Sequence, residues 1–179
     1  DAAGVYRKWD RVLGVSAWHA GMLARYYGIE ADYVPNGIDL ARFGPPAKKI
    51  PFRCVYASSP DRGLLQLLNL WEKIAWDEPG AELHIAYGWE NIDTWIAGGR
   101  TELAEFKAAV EKKIASTAGV VWRGRLPQAA LARLYSESYA WLYPTNFLEV
   151  SCISSMEAMA GGCVPVCSTA GALKETIGA

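Results

Sequence analysis

Two glutamates, Glu149 and Glu157, stand eight residues apart in a run that is otherwise rich in small and apolar side chains. An ionised carboxylate accepts hydrogen bonds and can hold both hydroxyls of a sugar diol. The spacing alone is a weak signal, because twelve glutamates in 179 residues give about 0.8 such pairs by chance. Glu82 and Glu90 form a second pair with the same spacing. The elements around Glu149 and Glu157 must therefore decide whether they form a site.

A helix is predicted to begin between the two glutamates, near Cys152. Apolar residues recur from Ile153 at i, i+3 and i+7, which is the period of one helix face. The first turn of such a helix offers unpaired backbone N–H groups and the positive end of the helix dipole, which suit a diphosphate. Glu157 then lies about one turn inside the helix, on the same side as the small residue Ser154.

From these positions Glu157 can accept ribose hydroxyls, while Glu149, in the loop before the helix, faces whatever is attached beyond the phosphates. A simpler interpretation makes Glu149 a solvated loop residue and Glu157 a charge that the helix dipole favours in a first turn. The residues around the pair leave both interpretations open.

The elements that must position these residues alternate between short apolar strands and helical patterns, which predicts βαβ units and a parallel sheet. The N-terminal part reads as a buried strand at 11–15, a helix at 17–27 and a short strand at 31–34, followed by turn residues between 35 and 46. The rest predicts strands at 52–57, 83–87, 120–122, 140–143 and 164–167, with helices beginning at Leu64 and spanning about 101–115, 127–137 and 153–160. The predicted fold class is α/β, a Rossmann-like doubly wound parallel sheet.

If the strand order is 3-2-1-4-5, it reverses between strands 52–57 and 140–143, and ligands bind at the carboxyl ends of those two strands. The loops to consider are then 57–63 and 144–154. The first loop carries Ser58, Ser59 and Arg62, and a fixed-charge guanidinium is suited to clamping a phosphate. The alternative is that Arg62 is an ordinary surface arginine.

Composition narrows the classes of protein. Hydrophobic residues make up 51% of the chain, and 18 Lys and Arg face 19 Asp and Glu, for a net charge of -1. This excludes a disordered chain and argues against a nucleic-acid partner. No apolar run reaches the roughly 18 residues of a membrane span, so none is predicted. The four cysteines lie in apolar stretches without C-x-x-C spacing, which indicates reduced thiols and a cytoplasmic protein.

Three segments together resemble a known family. The run 147–162 resembles the E-x7-E signature of retaining glycosyltransferases with the GT-B fold, glycosyltransferase family 4. The segment 34–43, Val-Pro-Asn-Gly-Ile-Asp-Leu-Ala-Arg-Phe, is similar to the interdomain segment of that family, and 170–175 to its closing G-x-x-E region. The resemblance covers nearly the whole chain in the family's order.

The resemblance implies a role for each matching residue. Glu157 would hold the ribose hydroxyls of a sugar nucleotide, and Glu149, the implied catalytic residue, would contact the donor sugar. The amides around Cys152, Ile153 and Ser154 would bind the distal phosphate, with Arg62 as the basic residue of the first loop. Ser58 or Ser59 stands where the family usually has a second basic residue. Arg125 and Leu126 are the candidates for contact with the base, and for Leu126 a place at the core edge is the alternative.

The implied reaction transfers a glycosyl group from a nucleotide sugar, a UDP-sugar before a GDP-sugar, to an acceptor hydroxyl of unknown identity with retention of configuration. No cofactor or metal is expected: the chain has no D-x-D pair, and neither His19 nor His84 has ligand-like neighbours. Residues 1–43 would be a remnant of the N-terminal acceptor domain with the linker, and 44–179 a donor-binding domain truncated at its C-terminus. We therefore expect this chain to bind nucleotide weakly and not to turn over alone.

Other α/β functions lack their motifs, since neither G-x-G-x-x-G nor G-x-x-x-x-G-K-[ST] occurs. The alternative from a different class is a non-catalytic α/β module that binds a nucleotide or a protein partner. An exposed patch containing Trp18, Trp89 and Trp95 would indicate that function. Trp89 follows a predicted strand end, so it could equally line a nucleotide crevice.

Overall fold

Short hydrophobic strands and amphipathic helices alternate along the chain, as the sequence predicts. The computed structural model of the protein describes residues 9–178. Its elements are β1 (Leu13–Gly14), α1 (Ala17–Tyr27), β2 (Asp32–Tyr33), β3 (Arg53–Tyr56), α2 (Leu64–Asp77), β4 (Glu82–Ile85), α3 (Glu90–Ala97), α4 (Glu102–Ser116), β5 (Val120–Trp122), α5 (Gln128–Glu137), β6 (Ala140–Tyr143), α6 (Ile153–Ala160), β7 (Val164–Cys167) and α7 (Leu173–Ile177), with 3-10 turns at Leu40–Arg42 and Pro60–Arg62.

Five of the strands form one parallel sheet in the order β5-β4-β3-β6-β7. Counted within this sheet, that is the predicted order 3-2-1-4-5. The pairing β3 with β4 and β3 with β6 places the reversal between β3 and β6. The α/β fold class, the strand order and the position of the switch point are therefore confirmed.

The core lies on both faces of this sheet. Val55 and Tyr56 of β3 and Trp141 of β6 are fully buried, as expected for central strands of a parallel sheet. Helix α2, which begins at Leu64 as predicted, buries one apolar stripe formed by Leu64, Leu67, Leu68 and Trp71. The strand ends at the switch point are thus fixed by packing on both sides.

The N-terminal segment forms a separate two-stranded sheet of β1 and β2, joined by α1. Helix α1 matches the predicted bounds because Ser16 caps its first turn by accepting from the His19 amide and Gly28 ends it with φ +64°. The prediction of a buried strand at 11–15 is wrong: β1 spans two residues, and Leu13 is 51% exposed. Each of these strands has a single neighbour, so apolar residues there remain partly in solvent.

The linker between the two sheets is fastened to the main domain. The Nζ of Lys49 donates to the carbonyls of Ser138 and Gly161, each at 2.7 Å, at the C-terminal ends of α5 and α6. At the other end of the chain, the carboxylate of Glu175 accepts from the amides of Ala17 and Trp18 at the start of α1. Both contacts tie residues around the linker to the helices of the larger sheet.

Helix α3 was not predicted. It has no side-chain N-cap, and Ile92 is its only buried residue, although Ile92, Trp95 and Ile96 recur at the spacing of one helix face. Residues 1–8, part of the predicted segment 1–43, and Ala179 lie outside the described residues, and the division at 43/44 stays a prediction. Among the residues that are described, no helix is long and apolar enough to cross a membrane.

Candidate functional site

The loops after β3 and β6 meet at the switch point with their backbones in contact. Gly63 has a φ of +107°, and a Cβ added there would lie 2.4 Å from the carbonyl oxygen of Pro144. Only glycine fits this close approach and this backbone conformation. The loop that carries Arg62 is thereby pressed against the loop that leads to Glu149.

Arg62 and Glu149 form an ion pair across the two loops. The Nη1 of Arg62 lies 3.2 Å from Oε1 of Glu149, and its guanidinium stacks over the Phe147 ring at 3.9 Å from the centroid. Burial by itself would lower the pKa of Arg62, but the charge of Glu149 raises it above the ordinary value. The guanidinium is therefore a permanent positive charge held at the switch point and only partly covered.

Glu149 is buried, being 5% exposed, so its interpretation as a solvated loop residue is wrong. The hydroxyl of Tyr143, at the end of β6, donates to Oε1 of Glu149 at 2.5 Å and accepts from Oγ of Ser58 at 3.2 Å. Burial and the hydrogen bond to Glu149 raise the pKa of Tyr143 above its ordinary range, so it stays a donor. Two groups, the Arg62 guanidinium and the Tyr143 hydroxyl, thus hold the Glu149 carboxylate, and Ser58 supports the second of them.

The backbone of Glu149 is fixed by the segment that resembles the closing G-x-x-E region. Gly171 forms a parallel bridge with Glu149, and the Ala172 amide donates to the Glu149 carbonyl at 2.7 Å. Gly171 has a φ of +63°, and a Cβ there would lie 2.3 Å from the Glu149 carbonyl oxygen. The glycine of this motif is explained by the close packing of the two segments.

Helix α6 begins directly after this carboxylate. Cys152 is its N-cap and makes no side-chain cap hydrogen bond, while the amides of Ile153 and Ser154 have no acceptor within a helix at these positions. Ile153 is 46% exposed, so the start of the helix opens to solvent. Burial raises the pKa of the Cys152 thiol. A neutral thiol at the N-cap leaves the first-turn amides available to an anion.

Glu157 lies one turn further along α6 and is also buried, at 8% exposure. Burial raises the pKa of its carboxyl, and the nearby charge of Arg42 opposes that shift. The Nη1 of Arg42 lies 3.4 Å from Oε1 of Glu157 and 2.9 Å from Oε1 of Gln128. Glu157 is the fifth residue of α6 and lies outside its first turn, so the interpretation of Glu157 as a charge that the dipole favours in the first turn is wrong.

A cavity of about 240 Å³ opens beside these groups, at the carboxyl ends of β4 and β5. Arg125 and Leu126, the two candidates for contact with a base, line it together with Gln128. Leu126 also packs against the core, which confirms its alternative place at the core edge, while its contact with a base stays a prediction. The opposite wall includes Tyr87, whose hydroxyl accepts from the Asn91 amide at 3.0 Å. The cavity has the polar and apolar lining that a nucleobase requires.

Four residues near the site were not predicted: Arg42, Gln128, Tyr143 and Phe147. Arg42 belongs to the linker segment that resembles the family, and Tyr143 ends a strand at the switch point. Their positions in the chain could therefore have indicated a place near the site, although their residue types did not. Of the two predicted serines, Ser58 binds Tyr143. Ser59 is buried, and within the described residues its Oγ has no hydrogen-bond partner.

The tryptophans do not form one exposed patch. Trp89 stacks on Trp122 with ring centroids 5.3 Å apart, and it is absent from the lining of the cavity. Trp18 is partly buried, and Trp95 is 38% exposed. The feature that would have indicated a partner-binding module is therefore missing from the described residues.

His84 lies in the core of the sheet and is 1% exposed. Its Nε2 lies 3.0 Å from Glu82, and its Nδ1 accepts from Arg123. Burial lowers its pKa. Within residues 9–178, no three His, Cys, Asp or Glu side chains lie close enough together to hold a metal ion.

No protein-family model matches the sequence, and no curated protein matches it. Solved structures do resemble the chain. A glycosyltransferase from Rickettsia africae is 16% identical, with a TM-score of 0.75 over 99% of this chain and 50% of that one. Anabaena HepE in complex with UDP-glucose is 14% identical, with a TM-score of 0.71 over 97% of this chain and 49% of that one. The catalytic domain of starch synthase IV from Arabidopsis thaliana, bound to ADP and acarbose, is 15% identical, with a TM-score of 0.63 over 97% and 42%.

The chain spans about a third to a half of the length of the solved structures that it matches. At these identities the likeness establishes the fold. Together with the five-stranded parallel sheet and its strand order, it shows that this chain has the Rossmann-like α/β fold of one half of a GT-B glycosyltransferase.

Proposed function

We propose that this chain is the donor-binding half of a glycosyltransferase, which binds a nucleoside diphosphate sugar and presents it for transfer to a hydroxyl. One observation carries the proposal: Arg62, the buried Glu149 and the open start of α6 meet at the switch point, and the buried Glu157 on the same helix is linked through Arg42 and Gln128 to a base-sized cavity. Buried carboxylates are costly for a fold unless they are paired or used. Here Glu149 pairs with Arg62 and Glu157 with Arg42, and each carboxylate can accept hydrogen bonds from one part of a nucleotide sugar.

The order of these groups along the site matches the order of groups in a sugar nucleotide. The cavity beside Arg125 and Leu126 takes the base, and Glu157 accepts the ribose hydroxyls. The amides of Ile153 and Ser154 take the diphosphate at the helix start, where the dipole favours an anion. Arg62 adds a charge that can clamp a phosphate oxygen. Glu149 then lies where the sugar begins.

The transfer breaks the bond between the anomeric carbon and the diphosphate oxygen and forms a bond from that carbon to the acceptor oxygen. The nucleoside diphosphate leaves with the electron pair of the broken bond and takes up the proton of the acceptor hydroxyl. Negative charge grows on the diphosphate in the transition state, where the α6 dipole and Arg62 can stabilise it. We infer on this basis a reaction that needs no metal. The resemblance of the run 147–162 further implies that Glu149 contacts the donor sugar and that the configuration is retained.

The solved structures give the proposal independent support, since HepE was solved with UDP-glucose and starch synthase IV with ADP. UDP is our first choice of nucleotide. The acceptor belongs to the part of the molecule that would face this domain. Because the chain spans only part of those proteins, turnover is proposed for a longer protein that contains this domain.

Titration of the 179-residue chain with UDP, GDP and ADP tests the proposal, by calorimetry and by amide chemical shifts. We expect binding of at least one nucleotide, with shifts centred on Arg62, Arg125 and Ser154. Glu157→Gln should weaken binding by about tenfold or more, the size expected when a hydrogen-bond acceptor of charged type is lost. Glu111→Gln, an exposed glutamate on α4, is the control and should bind normally. Absence of shifts with all three nucleotides would overturn the proposed function.

A further inference from the structure

We propose that Arg42, in the linker before the main domain, is a positioning residue for the nucleotide: it holds one oxygen of the Glu157 carboxylate so that the other can bind the ribose. The inference rests on the proposed function, because it requires a nucleoside at Glu157. It concerns a residue outside the two loops of the switch point, on a segment that joins the two sheets of the molecule.

The linker is built to present Arg42 at a fixed place. Asp39 caps the 3-10 turn Leu40–Arg42, because its Oδ1 accepts from the Ala41 amide at 3.0 Å. The Phe43 amide donates to the Leu40 carbonyl at 3.0 Å, and the Phe43 ring packs against the core. The Oδ2 of Asp39 also lies 3.8 Å from Nε of Arg42. The aspartate and the aromatic residue of this segment thus anchor the turn from both sides.

One nitrogen of Arg42 joins two parts of the site. Its Nη1 donates to Oε1 of Gln128 at 2.9 Å and lies 3.4 Å from Oε1 of Glu157. Gln128 is the first residue of α5 and lines the base cavity. Arg42 therefore spans the gap between the base cavity and the carboxylate that we assign to the ribose.

The second oxygen of the carboxylate is the one left for a ligand. Within residues 9–178, Oε2 of Glu157 has no protein hydrogen-bond partner, whereas Oε1 is held by Arg42. A planar guanidinium is rigid and keeps its donors in a fixed direction, so it restricts rotation of the carboxyl group. Oε2 of Glu157 is then held in one orientation, in which it can accept a hydrogen bond from a ribose hydroxyl.

Arg42 is also the charged group that favours the ionised form of this carboxylate. From α5, Tyr135 faces Glu157 as a neutral phenol, because burial and the charge of Glu157 raise the pKa of Tyr135. Burial favours the protonated form of Glu157, and the Arg42 charge opposes it. A protonated carboxyl would offer fewer acceptor sites to a ribose diol. Arg42 thus assists binding without touching the sugar.

The test compares UDP with 2′-deoxy-UDP, which lacks one hydroxyl of the diol, and repeats the comparison with the adenosine and guanosine pairs. The variants are Arg42→Gln and Arg42→Lys, measured by calorimetry on the 179-residue chain. Arg11→Gln is the control, since Arg11 forms an exposed ion pair with Asp32 away from the site. Thermal unfolding of each variant confirms that the fold is kept.

We expect Arg42→Gln to weaken UDP by about fivefold to tenfold, as for loss of a charge-assisted hydrogen bond, and to weaken 2′-deoxy-UDP much less. The ratio of the two affinities then falls towards one. Arg42→Lys keeps the charge and should restore part of the ratio. Because Arg42 acts through Glu157, adding Arg42→Gln to Glu157→Gln should cost little more than Glu157→Gln alone.

Two results would overturn the inference while leaving the proposed function intact. In one, Arg42→Gln binds UDP as tightly as the wild type, or more tightly, while Glu157→Gln still weakens it. In the other, Arg42→Gln weakens both nucleotides equally, which is the result of a structural role only. If the wild-type chain binds none of the nucleotides, the proposed function fails and the role of Arg42 falls with it.

Discussion

The packing of Gly171 against Glu149 gives a prediction with an internal control. Gly171 and Gly28 have nearly the same backbone conformation, with φ +63° and +64°, but their surroundings differ. A Cβ at Gly171 would lie 2.3 Å from the Glu149 carbonyl oxygen, whereas nothing lies within 4 Å of one at Gly28. Alanine at either position therefore meets the same conformational cost, and only Gly171→Ala adds a steric clash.

The conformational cost of alanine in this left-handed region is about 1–2 kcal/mol at each site. The overlap at Gly171 adds about 1–3 kcal/mol, the range for forcing extra atoms into a packed structure. We expect Gly171→Ala to lose about 2–5 kcal/mol of unfolding free energy, and Gly28→Ala about 1–2 kcal/mol. Each kcal/mol lowers Tm by about 2–4 °C in a protein of this size.

Urea unfolding followed by circular dichroism measures both variants, and nucleotide titration follows at a temperature where each remains folded. Gly171→Ala should also weaken nucleotide binding, because the clash displaces the backbone that carries Glu149. Gly28→Ala should not. Equal losses of unfolding free energy in the two variants would refute the close approach of Gly171 to Glu149. Normal nucleotide binding by Gly171→Ala would show that this contact does not position Glu149 for the nucleotide.

Three further predictions concern single side chains. Tyr143→Phe should lose about 1.5–3 kcal/mol of unfolding free energy in urea, because a buried carboxylate loses its hydroxyl donor, and Tyr139→Phe, at an exposed tyrosine, should lose almost none. Lys49→Met should lose about 2–3 kcal/mol in the same assay, because three backbone carbonyls lose a charged donor; a similar loss in the exposed neighbour Lys48→Met would contradict this. Burial raises the pKa of Glu157, so the folded state keeps its proton to higher pH than the unfolded state, and the unfolding free energy should fall as pH rises from the ordinary carboxyl pKa through the raised one. Urea unfolding at a series of pH values should show this fall in the wild type and a smaller one in Glu157→Gln, and identical profiles would contradict it.

Most of the fold could be predicted from the sequence because its signals are local. Helix α2 repeats Leu64, Leu67, Leu68 and Trp71 on one face, and strands β5, β6 and β7 are short apolar runs between helices. Their predicted bounds agree with the structure, since packing onto a sheet requires the same period that the sequence shows. Helix α3 was missed because its eight residues are fewer than the window over which a helical period is recognised, although Ile92, Trp95 and Ile96 do share one face.

The site was harder, because its residues are held by contacts between distant segments. The sequence placed Arg62 and Glu149 in two loops that a doubly wound sheet brings together, and in the structure they pair. It did not show that Tyr143 donates to Glu149 or that Arg42 reaches Glu157, 115 positions along the chain. Such contacts depend on side-chain directions that no local pattern records.

The sequence by itself determined the α/β class, the order of the elements and the two loops that meet at the switch point, because hydrophobic periodicity and turn residues are local properties of the chain. Only the tertiary structure decided that Glu149 and Glu157 are buried carboxylates rather than solvated ones. Burial and ion pairing arise from segments that are remote in sequence, such as the linker with Arg42 and the bridge at Gly171. Two glutamates with the same spacing on an exposed helix would have neither the burial nor the ion pairs. The spacing alone therefore could not tell a binding site from a solvated surface.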